Sequence, residues 1–447
     1  MFDLSQAAPR AARLTALGIG VALLATACGG TPTPSATTTP AKPAGINCPA
    51  PAKGADAPKI PAPGTVPAST TTTDTPLKIG TLLPTTGTLS YLGPPEIAGV
   101  NLAVKEINAA GGVLGKPIEV THRDSGDTST DIATQSVTSL LGQGVGAIIG
   151  AASSGVSKTV INQITGAGVV QFSPANTSVD FTAWDDKGLY WRTAPSDVLQ
   201  GSVLGNYAAS CGAQTMGMIV LNDPYGTGLG NKLKDTFEKS GGKIVAEQRY
   251  NTGDSQFNTQ VDAIVAAKPD AVAVISFAEG KSIIPLLLGK GIKPEQLFLV
   301  DGNTVDYSKD FQAGTMRGAH GTIPGTSAGD TFKKSLLEVD PALKDFIYGG
   351  ESWDAANLIA LAAEAAKSTK GTDIAKQLQA VSKDGEKCYS FAACVTLLRE
   401  GKDIDYDGQS GPVTFADSGD PSEATVGVYE YGEDNKITLV REEFGKL

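Results

Sequence analysis

Histidine is almost missing from this chain: His122 and His320 are the only two among 447 residues. That scarcity leaves little room for imidazole acid/base chemistry or for metal centres built on histidine. Cysteine is sparse too, with five residues, too few for a disulfide-dense scaffold. An excess of basic residues is also lacking, since 36 Lys+Arg stand against 47 Asp+Glu for a formal net charge of −11. Duplex binding needs a cationic footprint that releases counterions, so no nucleic-acid partner is expected. Aromatics make up 6% and hydrophobic residues 41%, with a mean hydropathy of −0.04. This is the composition of a soluble globular protein and excludes a polytopic membrane protein. The length is enough for two or three domains.

The one apolar run that stands out is N-terminal. Arg10 and Arg13 precede an uncharged stretch from Leu14 to Leu24, and the small residues Ala25-Thr26-Ala27 lead to Cys28 and Gly29-Gly30. Residues 1–27 therefore read as a signal peptide, too short for a comfortable transmembrane helix. A cysteine directly after small residues resembles a bacterial lipobox, which implies lipidation of Cys28 and a protein anchored outside the cytoplasmic membrane. The other reading is an ordinary secreted protein, because Ala25 stands where such boxes usually carry Leu, with Leu24 one step earlier. Removing the leader takes away two Arg and one Asp and leaves a charge of −12. Between Pro32 and Pro76 lie eleven of the 26 prolines, among runs of Thr, Ala and Ser with no aromatic residue. Such a tract buries too little apolar surface to offset its chain entropy, so residues 28–75 are expected to form a disordered tether.

From Leu77 onward short apolar strands alternate with amphipathic helices. Leu77–Leu83, Ile118–Arg123, Val145–Ile149 and Val169–Phe172 read as strands. Helices are marked by Ile97, Val100, Val104 and Ile107, by Ile132, Val137, Leu140 and Leu141, and by the stretch from Gly155 to Ala167. The rhythm restarts after Arg192-Thr193-Ala194-Pro195, with helices over 197–209, 227–239, 257–267 and 281–288 between strands at 216–221, 244–250, 271–276 and 297–300. Helices at 353–366 and 374–381 follow. Buried strands separated by helices make a parallel sheet covered on both faces. Two such units exceed one core, so the expected fold is α/β with two doubly wound parallel-sheet lobes and a cleft facing the carboxyl ends of the strands.

An ordered set of segments then carries a resemblance. Ile79-Gly80-Thr81-Leu82-Leu83-Pro84-Thr85-Thr86-Gly87 is followed by Gly93 and by GVNLAVKEINAAGGVLGK over Gly99–Lys116. Then come Ile149-Gly150 with Ser153-Ser154-Gly155, Phe172-Ser173-Pro174-Ala175-Asn176-Thr177, Trp191-Arg192-Thr193 with Asp197 and Gln200-Gly201, Asn222-Asp223 with Tyr225-Gly226, Trp353-Asp354-Ala355, and Asp407-Gly408 with Gly411. Taken in order, they resemble leucine/isoleucine/valine-type periplasmic binding proteins over about 77–435. The resemblance implies a type I periplasmic-binding-protein fold with three crossovers, lobe 1 being 76–194 plus 324–410 and lobe 2 being 195–323 plus 411–447. It further implies a monomeric receptor, without catalysis or cofactor, that closes on a small amino acid and delivers it to the permease subunits of an ABC importer. A ligand-sensing receptor for an amide or small carboxylic acid, acting on a signalling partner, shares the fold and is the alternative.

Ligand chemistry can be placed on residues. Ser153, Ser154 and Gly155 stand between a strand end and a helix start, where free N–H groups and a hydroxyl favour an anion. Ser154, Ala175 and Thr177 match the family positions for the carboxylate and amine, Tyr225 matches an aromatic facing the cleft, and Asp301 falls where an acid meets the ammonium. Each also fits a plain structural role: Ser154 an N-cap, Thr177 and Tyr225 turn residues, Asp301 a turn aspartate before Gly302. Phe277 replaces an expected tyrosine, and Leu92 stands where an aromatic often walls the side-chain pocket. Gly325-Thr326-Ser327-Ala328-Gly329 matches a nucleophile elbow, but no histidine follows it. Asp403–Gly408 resembles half of an EF-hand loop, yet position twelve is Thr414. Gly226, Gly228 and Gly230 lack dinucleotide spacing, and Gly115-Lys116 runs into Pro117, so neither nucleotide motif is met. No metal site is expected, and His122 on an alternating strand reads as a solvated or core residue. Apart from Cys28, an even set of cysteines remains in an oxidising compartment. Cys388 and Cys394 are close enough in sequence to pair; Cys48 with Cys211 would follow by elimination, and that connectivity stays open.

Overall fold

The computed structural model describes residues 45–52 and 66–446. The leader and Cys28 lie outside the described residues.

The chain first builds one parallel sheet. Strand β1 (Lys78–Leu83) leads to α1 (Gly93–Ala109), then β2 (Glu119–Asp124), α2 (Ile132–Gly142), β3 (Ala147–Gly150), α3 (Ser154–Gly166), β4 (Val170–Ser173) and β5 (Tyr190–Arg192). The sheet order is β2-β1-β3-β4-β5, all parallel. The short strand β3 is buried throughout, as a strand covered on both faces must be. Its last residue, Gly150, takes φ +127°, and a Cβ there would collide with the Leu82 carbonyl. Only glycine lets the strand turn here toward the start of α3.

After β5 the chain crosses to a second sheet through α4 (Asp197–Ser210), β6 (Thr215–Leu221), α5 (Pro224–Lys239), β7 (Lys243–Tyr250), α6 (Asn258–Ala267), β8 (Ala271–Ile275), α7 (Gly280–Gly289), β9 (Leu297–Leu299) and β10 (His320–Pro324). It returns to cover the first sheet with α8 (Asp330–Val339), α9 (Gly349–Ala366), α10 (Gly371–Leu378), β11 (Glu386–Cys388), α11 (Phe391–Arg399), β12 (Ile404–Gly408) and β13 (Gly411–Pro412). A third passage leads to the hairpin β14 (Glu423–Tyr431) and β15 (Ile437–Lys446). The two lobes and three crossovers are therefore present. The second sheet, ordered β15-β14-β10-β9-β8-β6-β7, departs from a purely parallel sheet, because β14 and β15 join its edge antiparallel. Adjacent strands of a hairpin can pair no other way.

Elements that the periodicity does not mark are the strands β5, β10 and β11, the helices α8 and α11, and the β14–β15 hairpin. The half EF-hand is the hairpin β12–β13, where Lys387 bridges Asp405 and Asp407 at 2.9 Å each. Both ring nitrogens of His122 are engaged, at 2.9 Å from the Thr81 hydroxyl and 2.9 Å from Asn101 Oδ1.

The described parts of the proline-rich tract, 45–52 and 66–76, lie on the body where a disordered tether was expected over 28–75, and the Cys48–Cys211 bridge left open above is one of the attachments. Cys48 is bonded to Cys211, the Asn47 N–H donates to the Cys211 carbonyl (2.9 Å) and the Ala52 N–H to the Val440 carbonyl (2.8 Å). Further along, Arg399 donates to the Pro67 carbonyl (2.8 Å) and Ser69 to Glu364 (3.1 Å). A composition argument weighs apolar side chains and misses this covalent and main-chain anchorage. The second disulfide joins Cys388 to Cys394.

Two buried polar constructions hold the crossovers. Arg192, fully buried at the end of β5, donates to Asp420 (2.6 Å) in the third passage and to the carbonyls of Asn176 (3.2 Å) and Ser178 (2.8 Å). Glu351, in the first turn of α9, accepts at its carbonyl from the Thr193 hydroxyl (3.0 Å) of the first crossover. Its carboxyl lies against Gly325 of the second crossover, where φ is +89° and a Cβ would strike it.

Breaking the first construction leaves a buried guanidinium uncompensated, so Asp420→Ala is expected to cost about 3–5 kcal/mol in urea unfolding. The second is pH-dependent. Burial pushes the Glu351 carboxyl up from 4.5 to about 8. The unfolded chain therefore ionises before the folded one, and this group removes stability as pH rises from 4.5 toward 8. Melting curves across that window should fall less steeply for Glu351→Gln than for the parent protein.

Candidate functional site

The cleft is built where α3, α4 and α5 begin. Ser153 is the N-cap of α3, its hydroxyl accepting from the Val156 N–H at 3.3 Å. The cap is thus Ser153, and Ser154 is the first helical residue, its hydroxyl accepting from the Ser178 N–H (3.3 Å). That bond joins the first turn of α3 to the loop after β4, which carries Ala175 and Thr177. In this loop the Ala175 N–H donates to the Ser173 hydroxyl (3.3 Å), and the Thr177 carbonyl accepts from the Asp197 N–H (2.7 Å) at the start of α4. Ser154, Ala175 and Thr177 are all buried.

The facing wall comes from the second lobe. Asp223 caps α5 by accepting from the Gly226 N–H (2.7 Å), and Pro224 at the first helical position suits that start. The Asp223 carboxylate lies 3.5 Å from where a Cβ would stand on Gly155, so the starts of α3 and α5 approach each other across the cleft. Burial pushes the Asp223 carboxyl up to about 6. Next to it, Tyr225 stacks on Phe277 with ring centroids 5.3 Å apart and planes inclined by 17°. The Tyr225 hydroxyl donates to Asp301 Oδ1 at 2.7 Å.

Asp301 receives more than this one donor. Gln200 Nε2 reaches Oδ1 at 2.9 Å, and the Tyr348 hydroxyl reaches Oδ2 at 2.7 Å. Burial raises the Asp301 carboxyl, while the Tyr348, Tyr225 and Gln200 bonds pull it back down. Tyr348 sits at the start of α9 in the left-handed region, with φ 59°. From there its hydroxyl extends from one lobe to the other.

Further contacts join the lobes. The Tyr91 hydroxyl donates to the Gly302 carbonyl (2.9 Å), and the Ser178 hydroxyl to the Pro224 carbonyl (3.2 Å). Leu92, Ala175, Tyr225, Phe277 and Tyr348 belong to one buried apolar cluster that spans the cleft. At the mouth, beside Ser153 and Phe277, a void of only about 10 Å³ remains. A larger cavity of about 470 Å³, lined by Tyr91, Pro95, Phe277, Tyr307 and Asp345 among others, lies to one side. All eight residues singled out from sequence (Leu92, Ser153, Ser154, Ala175, Thr177, Tyr225, Phe277 and Asp301) are thus gathered in the inter-lobe region.

Four further residues acquire a place only here: Tyr91, Asp197, Gln200 and Tyr348. Asp197 and Gln200 occur in the Arg-Thr/Asp/Gln-Gly pattern, which carries no sign of their direction. Tyr91 directly precedes Leu92 and supplies the aromatic that Leu92 lacks. Tyr348 has no local signal apart from Gly349-Gly350 after it. Among the described residues no cluster of His, Cys, Asp and Glu could hold a metal ion, and no helix is long and apolar enough to cross a membrane.

Comparison with known proteins agrees with this architecture. A family model described as periplasmic binding protein matches residues 76–408. The leucine-, isoleucine-, valine-, threonine- and alanine-binding protein of Pseudomonas aeruginosa is 23% identical over 378 residues, covering 82% of this chain and 92% of that protein. The chemotactic signal transduction system substrate-binding protein BasB of Halobacterium salinarum is 25% identical over 366 residues, covering 77% of this chain and 85% of its own. In fold, the branched-chain amino acid transporter substrate-binding protein LivJ of Streptococcus pneumoniae, solved with isoleucine, superposes with a TM-score of 0.68 at 22% identity, covering 83% of this chain and 100% of that one. With residues 76–408, most of its length, matched by the family model, this chain belongs to the periplasmic binding protein family, whose members are ligand-binding receptors.

Proposed function

We propose that this protein is the extracytoplasmic solute receptor of an ABC importer, binding a branched-chain or related small amino acid between its lobes without catalysis. The observation that carries this reading is the asymmetry of the cleft. On one side stand the first turn of α3 and the hydroxyls of Ser153, Ser154 and Thr177, suited to a carboxylate. On the other stands the acidic region around Asp301, suited to an ammonium. Leu92, Ala175, Tyr225 and Phe277 supply apolar wall for a side chain. The ligand then touches both lobes only when they are closed, so binding free energy favours the closed form that a permease would recognise.

Family membership implies an extracytoplasmic location, and we add lipid anchoring at Cys28 as the expected attachment. The relative from Pseudomonas aeruginosa, named for binding leucine, isoleucine, valine, threonine and alanine, supports the ligand class. The alternative of a sensor acting on a signalling partner is supported by the chemotactic relative from Halobacterium salinarum. Neighbouring genes for a permease or for a transducer separate the two.

A thermal-shift screen of the twenty amino acids and small carboxylates on the mature protein tests the ligand reading. A ligand that binds only the folded state stabilises it by about 2.7 kcal/mol at 100 times its Kd. One small group of amino acids is expected to raise the melting temperature. Ser154→Ala and Thr177→Ala should each weaken that ligand by about tenfold or more, the loss of a hydrogen bond to a charged group. Unchanged affinity in both variants would remove the carboxylate subsite from this cleft.

A further inference from the structure

Behind the cleft, a separate cavity of about 400 Å³ opens at the second crossover. Its volume is that of a small-molecule site. None of the residues singled out for the cleft lines it, and the segment 344–348 stands between the two. The walls come from both lobes and from the passage that joins them. Lobe 1 supplies Glu351 of α9, Phe346 and Lys333, and lobe 2 supplies Ile437 and Leu439 of β15. The crossover supplies 325–328, most of the stretch that matched a nucleophile elbow.

Three acids line this cavity, and two of them are already engaged. Asp345 accepts from the Phe346 and Ile347 N–H groups (2.6 and 2.9 Å). Asp306 accepts from the Ser308 N–H (2.8 Å) and lies 3.9 Å from Lys436. Glu351 is different. It is only 4% exposed, and among the described residues its carboxyl is bonded by its own main chain alone. A carboxylate offers about four lone-pair sites, so most of its acceptor capacity is open. Burial pushes this carboxyl up to about 8, a penalty on the charged form that an ammonium beside it removes.

The mouth has the opposite sign. Lys333, Lys344 and Lys436 border the cavity, and the last two are exposed and come from different lobes. Among the described residues neither Lys333 nor Lys344 forms an ion pair, Lys333 lying over the Phe346 ring at 5.8 Å. The lining also includes the apolar side chains of Ile323, Ile347, Ile437 and Leu439. A buried acid, an apolar wall and exposed cations therefore share one cavity.

We propose that this cavity is a second ligand site, for a small molecule that brings an amine to Glu351 and a carboxylate to Lys344 and Lys436 at the two ends of an apolar chain. An aliphatic α-amino acid carries both charges on one carbon, so this site and the cleft select different molecules. The proposal goes beyond the reading of the cleft and does not rest on it.

Calorimetric titrations of the mature protein with 6-aminohexanoate, hexanoate and hexylamine test the two ends separately. The zwitterion should bind at least about tenfold more tightly than either single-ended probe, because each end adds hydrogen bonds between charged groups. Glu351→Gln should bring it to the affinity of hexanoate. Lys344→Met combined with Lys436→Met should bring it to that of hexylamine. Ser154→Ala, which alters the cleft, should change none of the three by more than about threefold. If Glu351→Gln does not fold, as judged by circular dichroism, the surface lysine variant carries the comparison. Equal affinity for the three probes in the parent protein overturns the proposal. So does a lack of binding of both 6-aminohexanoate and the shorter 4-aminobutanoate at millimolar concentration, or a loss in Ser154→Ala as large as in the lysine variant. The amino-acid screen is decided independently of these titrations, so failure here leaves the cleft reading standing.

Discussion

A single buried guanidinium, that of Arg192, sets the geometry on which the cleft depends. It lies at the last position of β5, where the chain leaves the first lobe, and has no contact with solvent. Its bonds to the carbonyls of Asn176 and Ser178 bracket Thr177, and its pairing with Asp420 reaches the third crossover. Moving such a charge out of water is costly unless its donors are satisfied, and here they are. One residue therefore fixes the loop that faces the ligand and two of the passages about which the lobes can move.

The polar groups around the cleft divide by sign. The starts of α3 and the loop after β4 present hydroxyls and N–H groups, whereas the opposing side gathers Asp197, Asp223 and Asp301. Behind the cleft, Glu96 is fully buried with both oxygens unpartnered, and the Glu351 charge adds to the effect of burial in raising its carboxyl. Buried acids without counterions favour their neutral forms, and an added cation shifts that balance. The same acids touch the elements that must move on opening: Glu351 meets two crossovers, and Asp301 takes bonds from both lobes. Charge recognition and lobe closure are thus physically linked in one group of side chains.

Much of the fold was legible because it rests on periodicity. Buried strands such as Ala147–Gly150 and helices such as Ser154–Gly166 declare themselves by apolar runs and 3.6-residue spacing. The α8 helix is hard to read because charged and polar residues interrupt its apolar positions, and α11 because its nine residues are almost all apolar and show no polar face to fix a helical period. The hairpin β14–β15 was missed because its strands mix Glu, Thr and Arg with apolar residues. The described residues of the tract before Leu77, 45–52 and 66–76, depart from the composition argument for a different reason. Its composition does predict disorder, but Cys48 and the main-chain bonds at Asn47, Ala52 and Pro67 attach it to the body.

The sequence by itself determined the two-lobed α/β architecture, part of the set of residues gathered between the lobes, and which cysteines could pair. Periodicity, capping residues and an ordered series of motifs are local quantities, and a chain carries them wherever it goes. Direction is not local. That Ser153 rather than Ser154 caps α3, that Ser154 receives the Ser178 N–H, and that Tyr348 reaches across to Asp301 depend on elements brought together from positions far apart in the chain. Only the tertiary structure decided these, because a hydrogen bond exists or fails according to distances of a few ångströms that no spacing along the sequence encodes.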